Sequence, residues 1–357
     1  MSLLTEVFVD PARLANLSNS EWDQLLRFAR YGRLLGSIRQ LVTELSLDTE
    51  IPEVAQDVLS SDTMFVNYLQ LQATREVNAL EQVLGTADYP VVLLKGTAYI
   101  AARLPPAAGR RLSDIDILVP REHIEDAEQK LKAHGWKSED KLTEYDQHYY
   151  RDWSHEVPPM RHQARHMEVD LHHSLTPPTG RIKLASPLLF EALEPLDSSP
   201  FYTLSPQDMF LHSAVHLFIN DELRGGLRDL VDMHLLVAEF GVKPLFWENL
   251  IVRAERLDLT RPLYYALTGL QRLLHTEVPA ATLAQVEDYA PGAISRLVMA
   301  FWIDRALAPT DTASLQAPLI EWLLFIRSHW IRMPPRMLAG HLWRKWRYQR
   351  SNEFDQQ

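Results

Sequence analysis

The chain has no cysteine among its 357 residues, which excludes disulfides, thiolate zinc sites, iron–sulfur clusters and a cysteine nucleophile. Any metal it binds must sit on oxygen or imidazole ligands. The start, MSLLTEVFVD, lacks the basic and then apolar segments of a secretory leader, and the most apolar later stretch, APLIEWLLFI, is short and interrupted by Glu321. We therefore expect a cytoplasmic protein with no membrane span. An excess of positive charge is missing as well: the formal charge is −11, which argues against a surface that coats nucleic acid or anionic lipid as a whole. There is no internal repeat and no low-complexity tract. With 46% apolar and 23% charged residues, the composition is that of a globular protein long enough for two or three domains.

What is present divides into three regions. Residues 10 to 84 carry helical spacing, with SEWDQLLRFARYGRLL opening on a serine N-cap at Ser20 and MFVNYLQLQATREVNALEQVL keeping apolar residues three and four apart. From Tyr89 the pattern changes to the strand-like runs YPVVLLK, DIDILV and RHMEVDLHH, with a helix over REHIEDAEQKLKAHG between the second and third. The connectors TPPTGRIKLASP and EPLDSSPF follow, and helical periodicity then returns through DMFLHSAVHLFIN, LRDLVDMHLLVAEF and WENLIVRAERL. The expectation is an α+β fold with a helical front at residues 1–85, a small mixed-sheet α/β core at 86–176 and a helical region at 177–357.

Candidate chemistry concentrates in the middle region. In DIDILV, Asp114 and Asp116 share one strand face while Ile115 and Ile117 take the other. Two adjacent carboxylates near an apolar interior repel unless a cation offsets them, and with no soft ligands the natural cation is Mg²⁺ or Mn²⁺. Alternatively the pair is two solvated acids at a strand end. RHMEVDLHHS places His166, Glu168, Asp170 and His172 on alternate positions, hence on one face. Upstream, VVLLKGTAYIAARL runs from a strand into a helix through Lys95, Gly96 and Thr97; a glycine there lets backbone amides approach an anion, while Lys95 and Thr97 add a cation and a hydroxyl.

These residues resemble a known family. Lys95-Gly96-Thr97, then Arg111-Leu-Ser113-Asp114-Ile-Asp116-Ile, then a helix, then Glu168-Val-Asp170-Leu-His172, is similar to the uncharacterised nucleotidyltransferase family of the DNA polymerase β-like superfamily. The resemblance covers residues 88 to 175 well and the region around LRDLVDMHLL more loosely. Thr97 stands where the wider superfamily has serine, and the gap from Gly96 to Asp114 is longer, with Pro105, Pro106 and Gly109 in the excess. The resemblance implies a metal-dependent transfer of a nucleoside monophosphate from an NTP to a hydroxyl or phosphate acceptor on a small molecule, peptide, protein or RNA end. Asp114, Asp116 and Asp170 would hold Mg²⁺ or Mn²⁺. Lys95, Gly96, Thr97, Arg111 and Ser113 would hold the nucleotide, and His172 would act beside Asp170 by orienting it, contacting a phosphate or ligating a metal, unless it is a polar histidine satisfied at a strand end. Kinase-like γ-phosphoryl transfer at the same site and an inactive nucleotide-binding scaffold are the alternatives.

Other features stay open at this level. His148, His155, His162 and His166 do not form a compact zinc-binding spacing. Trp136, Tyr149, Tyr150 and Trp153 suit base stacking or the core. Asp229 and Asp232 lie near one helix face, and Gly225-Gly226 suits a hinge or a turn. From Arg327 to Arg350 the chain carries Arg327, Arg332, Arg336, Arg344, Lys345, Arg347 and Arg350 and no acid, interleaved with Trp330, Trp343, Trp346 and Tyr348. That stretch suits RNA, lipid head groups or an acidic partner, and equally a terminal amphipathic helix with packed aromatics and solvated cations.

Overall fold

A computed structural model describes residues 2–138, 149–219, 223, 225–307 and 317–338. The front section folds into α1 (Leu3–Val9), α2 (Asn19–Tyr31), α3 (Leu35–Glu44) and the long α4 (Glu53–Leu84). α2 begins under Ser18 rather than Ser20, because Ser18 has Glu21 three residues on and the two close a reciprocal capping box. The α/β region then supplies β1 (Val92–Leu93), α5 (Lys95–Ala101), β2 (Asp114–Leu118), α6 (Ile124–Ala133), β3 (Trp136–Ser138), β4 (Met160–His162) and β5 (Glu168–His172).

The sheet does not stop at residue 176. EPLDSSPF, expected as a connector, begins inside β6 (Leu193–Pro195) and turns back to β7 (Tyr202–Leu204) in a hairpin, and β7 pairs in parallel with β1. The strand order is β3-β4-β5-β2-β1-β7-β6. Pairing of β2 with β5 is parallel and that of β1 with β2 antiparallel, so the sheet is mixed. After it come α7 (Pro206–Phe218), α8 (Leu227–Phe240), α9 (Phe246–Arg256), α10 (Thr260–Leu274), α11 (Ala280–Glu287), α12 (Ala293–Leu307) and α13 (Ala317–Arg332). The α+β expectation holds. No helix among the described residues is long and apolar enough to cross a membrane.

One hydrophobic cluster joins all three regions: Leu80 of α4, Ile115 and Ile117 of β2, Phe210 of α7 and Leu267 of α10 are all fully buried within it. β2 runs through this interior because its apolar alternate residues face it, while its two aspartates face the other way. The segment from residue 102 to 113, the long gap before the first aspartate, is tied to helices on both sides. Gln70 of α4 donates to the carbonyls of Ala107 and Arg110 at 2.9 and 3.1 Å, Arg111 pairs with Asp62 of α4, and Arg110 pairs with Asp232 of α8. Gly109, at φ +68°, lies against Gly36 of α3 so closely that a Cβ on either would collide with the other's backbone. Gly36→Ala should therefore cost roughly 1–3 kcal/mol, read as a lower denaturation midpoint at unchanged slope; an unchanged midpoint would show that the two backbones part at no cost.

Candidate active site

β2 and β5 lie side by side in register, with Asp116 opposite Asp170 and Leu118 opposite His172. Period-2 alternation in both strands puts Asp116, Asp170 and His172 on one face. Asp116 is 3% exposed. Lys95 Nζ donates to its Oδ1 at 2.8 Å and His172 Nε2 donates to the same oxygen at 3.0 Å. Burial pushes the Asp116 carboxyl up, but Lys95 and His172 outweigh it and hold the group well below the usual carboxylate range. Asp170 has the opposite fate: burial and the neighbouring Asp116 charge push it up to about 8. Its Oδ1 is buried with no hydrogen-bond partner. Two facing carboxylates at this range do not both ionise unless a cation offsets them, so one is held charged and the other protonated.

That asymmetry has a stability consequence. Between about pH 4 and pH 8 the folded chain keeps a proton on Asp170 that the unfolded chain releases, so stability falls as pH rises through this window. Asp170→Asn removes the penalty. In chelator at pH 8.5 the variant should melt roughly 5 °C above the parent and at pH 4.5 the two should coincide; a variant that melts lower at pH 8.5 would show that Asp170 is not held protonated.

The face opens into a cavity of about 340 Å³. Its acids are Asp114, Asp116, Glu156 and Asp170, and its cations are Lys95, Arg33, Arg110, Arg111, Arg228 and Arg332. Acids clustered on the sheet floor with arginines around them suit a ligand that is a polyanion carrying a divalent cation. Ser113 donates to Asp114 Oδ1 at 3.0 Å and fixes that rotamer. Arg110 sits under this wall, 8% exposed, with its guanidinium over the Tyr99 ring and paired with Asp232. Burial and the Arg228 charge bring it down to about 10, so it stays charged at neutral pH. Asp229 lies next to it; although burial pushes its carboxyl up, His216, Arg228 and Arg110 hold it well below its ordinary value.

The family model described as uncharacterised nucleotidyltransferase matches residues 18–275. The chain belongs to this family. No curated protein and no solved structure matches the chain. The uncharacterised nucleotidyltransferase match takes in everything from α2 to α10, so the helices that clamp the segment before Asp114 belong to the family unit as much as the sheet does. A nucleotidyltransferase-like function follows from that membership.

Within this nucleotidyltransferase the expected site residues do not all converge. Lys95, Gly96, Arg111, Ser113, Asp114, Asp116, Asp170 and His172 all line the cavity. Thr97 does not: it is 5% exposed, its Oγ1 is buried without a partner, and it lines a separate cavity of about 500 Å³ beyond α5 with Ile100, Leu104 and Met209. One step along a helix turns the side chain by about 100°, which carries Thr97 away from the acids. Gly96 has a packing reason as well, since a Cβ there would collide with Leu112 and lie 2.6 Å from Arg110 Nε. Lys95 takes φ +47° at the strand-to-helix junction, an uncommon backbone for a lysine, and so aims its ammonium at Asp116. Glu168 turns instead to Arg161, at 2.7 Å, and His166 is exposed ahead of β5, which is shorter than the expected strand.

Arg33, Arg110, Glu156, His216, Arg228 and Arg332 reach the cavity without any local pattern that marks them. Asp229 and Asp232, which share a helix face as expected, anchor Arg110 rather than the ligand side. Gly225 and Gly226 form the turn into α8. Trp136 is buried, its Nε1 donating to Glu76 at 2.7 Å, and neither it nor Tyr149, Tyr150 or Trp153 lines the cavity. His148 and the stretch from 339 to 357, with Trp343, Arg344, Lys345, Trp346, Arg347, Tyr348 and Arg350, lie outside the described residues. Before it, Arg327 donates to the Phe218 carbonyl at 2.8 Å and Arg332 lines the cavity, so part of the basic stretch faces inward.

Proposed function

We propose that the chain transfers a nucleoside monophosphate from an NTP to a hydroxyl or phosphate acceptor and releases pyrophosphate, with Mg²⁺ or Mn²⁺ held by Asp114, Asp116 and Asp170. The observation that carries this reading is Asp116 facing Asp170, with a buried Asp170 oxygen that has no partner, in a cavity walled by arginines. Three hard carboxylates and no thiolate suit Mg²⁺, with the His172 Nε2 taken up by its hydrogen bond to Asp116. When bound, the ion supplies charge stabilisation at the phosphates and eases loss of the acceptor proton. Lys95, Arg111 and Arg228 neutralise the triphosphate, and Ser113 keeps Asp114 turned toward it. The acceptor oxygen attacks the α-phosphorus in line, the bond to the β-phosphate oxygen breaks, and pyrophosphate leaves with the electron pair. An ionised Asp170 on the acceptor side favours departure of the acceptor's proton. We place this chemistry in the cytoplasm.

The test is to supply Mg²⁺ with NTP labelled at the α- or the γ-phosphate to the protein in cell extract, beside an Asp114→Ala/Asp116→Ala double variant. Transfer of α label that the variant loses is the expected result. Transfer of γ label alone would assign kinase-like chemistry, and nucleotide binding with no transfer would assign a sensor or scaffold. Metal binding should also release a proton, because Asp170 must ionise to become a ligand. Calorimetric titration of Mg²⁺ at pH 7 in buffers of different ionisation enthalpy should read close to one proton released per ion, and none in Asp170→Asn; equal proton release in both would remove Asp170 from the ligand set.

A further inference from the structure

His155 and Glu156 are strapped to the end of β5. Glu156 forms an isolated antiparallel bridge with His172, and the amides of His173 and Ser174 both donate to the His155 carbonyl, at 2.9 and 3.3 Å. The strapping gathers one donor atom each from His155, Glu156 and His172 within 4.8 Å of one another. His172 Nδ1 stands 3.4 Å from Glu156 Oε2, and His155 Nε2 stands 3.9 Å from the same oxygen. Ligands at about 2.0–2.1 Å from a tetrahedral zinc ion lie roughly 3.4 Å apart. A small contraction by side-chain rotation closes the set.

Two further observations separate this group from an ordinary ion-pair cluster. The Nδ1 of His155 is buried with no hydrogen-bond partner, so this ring sits among polar groups with its bonding capacity unmet and no side-chain bond at Nδ1 holds it against rotation toward Glu156. The Nε2 of His172 donates to Asp116, so Nδ1, on the Glu156 side at 3.4 Å, is the nitrogen that a metal would take in place of a proton. A carboxylate that receives the second N–H of a ligating imidazole is the usual outer partner of a metal-bound histidine. Two imidazoles and one carboxylate are the wrong donors for Mg²⁺, which prefers oxygen and octahedral geometry, and the right ones for Zn²⁺ with a fourth position left open.

We infer that His155, Glu156 and His172 form a transition-metal site of the Zn²⁺ type, separate in ligand chemistry from the three aspartates. An ion there would pin the segment around residue 155 to the sheet and, through His172, hold Asp116 in its rotamer. The inference does not depend on which group the enzyme transfers.

The test uses chelator-stripped full-length protein equilibrated with excess Mg²⁺, which occupies oxygen sites, and micromolar Zn²⁺, with bound metal measured by elemental mass spectrometry; Co²⁺ in place of Zn²⁺ gives visible d–d bands that report imidazole coordination. One zinc per chain is expected, with affinity about 100-fold or more lower in His155→Gln and in Glu156→Gln and unchanged in Asp114→Asn. Circular dichroism checks folding, and should His155→Gln fail to fold, Glu156→Gln carries the same comparison. Absence of bound zinc in the parent protein, retention of it by Glu156→Gln, or its loss in Asp114→Asn would each overturn the assignment.

Discussion

Asp116→Asn should lower kcat for nucleotidyl transfer by about 10³-fold while leaving a folded protein, because asparagine keeps the shape and the acceptor oxygen but not the charge. Lys95 and His172 can still donate to that oxygen, so the local packing survives. What disappears is the anion that balances Lys95 on one side and the proposed cation on the other. A loss of about 4 kcal/mol of transition-state stabilisation corresponds to this factor and is typical for electrostatic stabilisation of phosphoryl groups. The substitution also has a signature in stability. A carboxylate held well below its ordinary range stabilises the fold above about pH 4 and ceases to do so as pH falls through its folded value. The variant should thus melt below the parent at pH 7, with the gap beginning to narrow only as pH falls below about 4. Activity within tenfold of the parent would remove Asp116 from the chemistry, whatever the melting curve shows.

How far the sequence reveals this site depends on whether each residue belongs to a local pattern. Asp114, Asp116, Asp170 and His172 alternate with apolar residues on short strands, and period-2 spacing alone places them on a face. The parallel register that sets Asp116 against Asp170 then follows from two such strands with a crossover helix between them. Thr97 fails because a motif that spans a strand-to-helix junction changes period in its middle, so neighbours diverge. β6 and β7 are three residues each, too short for any period, and their Pro- and Ser-rich hairpin reads as a linker. Glu156 and Arg332 come from segments that chain topology, not spacing, brings to the cavity, and no window of ten residues carries that information. The division at residues 85 and 176 likewise follows changes of pattern, whereas the buried core runs across both points.

Arg110→Ala should destabilise the fold by about 3–5 kcal/mol and roughly 10 °C in melting temperature. Asp229 retains Arg228, at 3.3 Å, and His216, at 3.6 Å. Asp232, 5% exposed, has Arg110 as its ion-pair partner and would be left as a buried charge without one. The guanidinium also lies 5.3 Å from the Tyr99 ring, so truncation removes packing as well as charge. Arg110→Met with Asp232→Leu should recover most of the lost stability, since replacing both members of a buried pair with apolar groups of similar size removes the stranded charge. Activity should not recover with it. Arg110 holds the segment that carries Arg111, Ser113 and then Asp114, and α8 is the far anchor of that segment. Release of the anchor should raise KM for the nucleotide more than it lowers kcat, because Arg111 and Ser113 serve ligand placement while Asp116 stays held by Lys95. A double variant that regains full stability and also the parent KM would show that the arginine clamp is structural only and that the loop finds its position without α8.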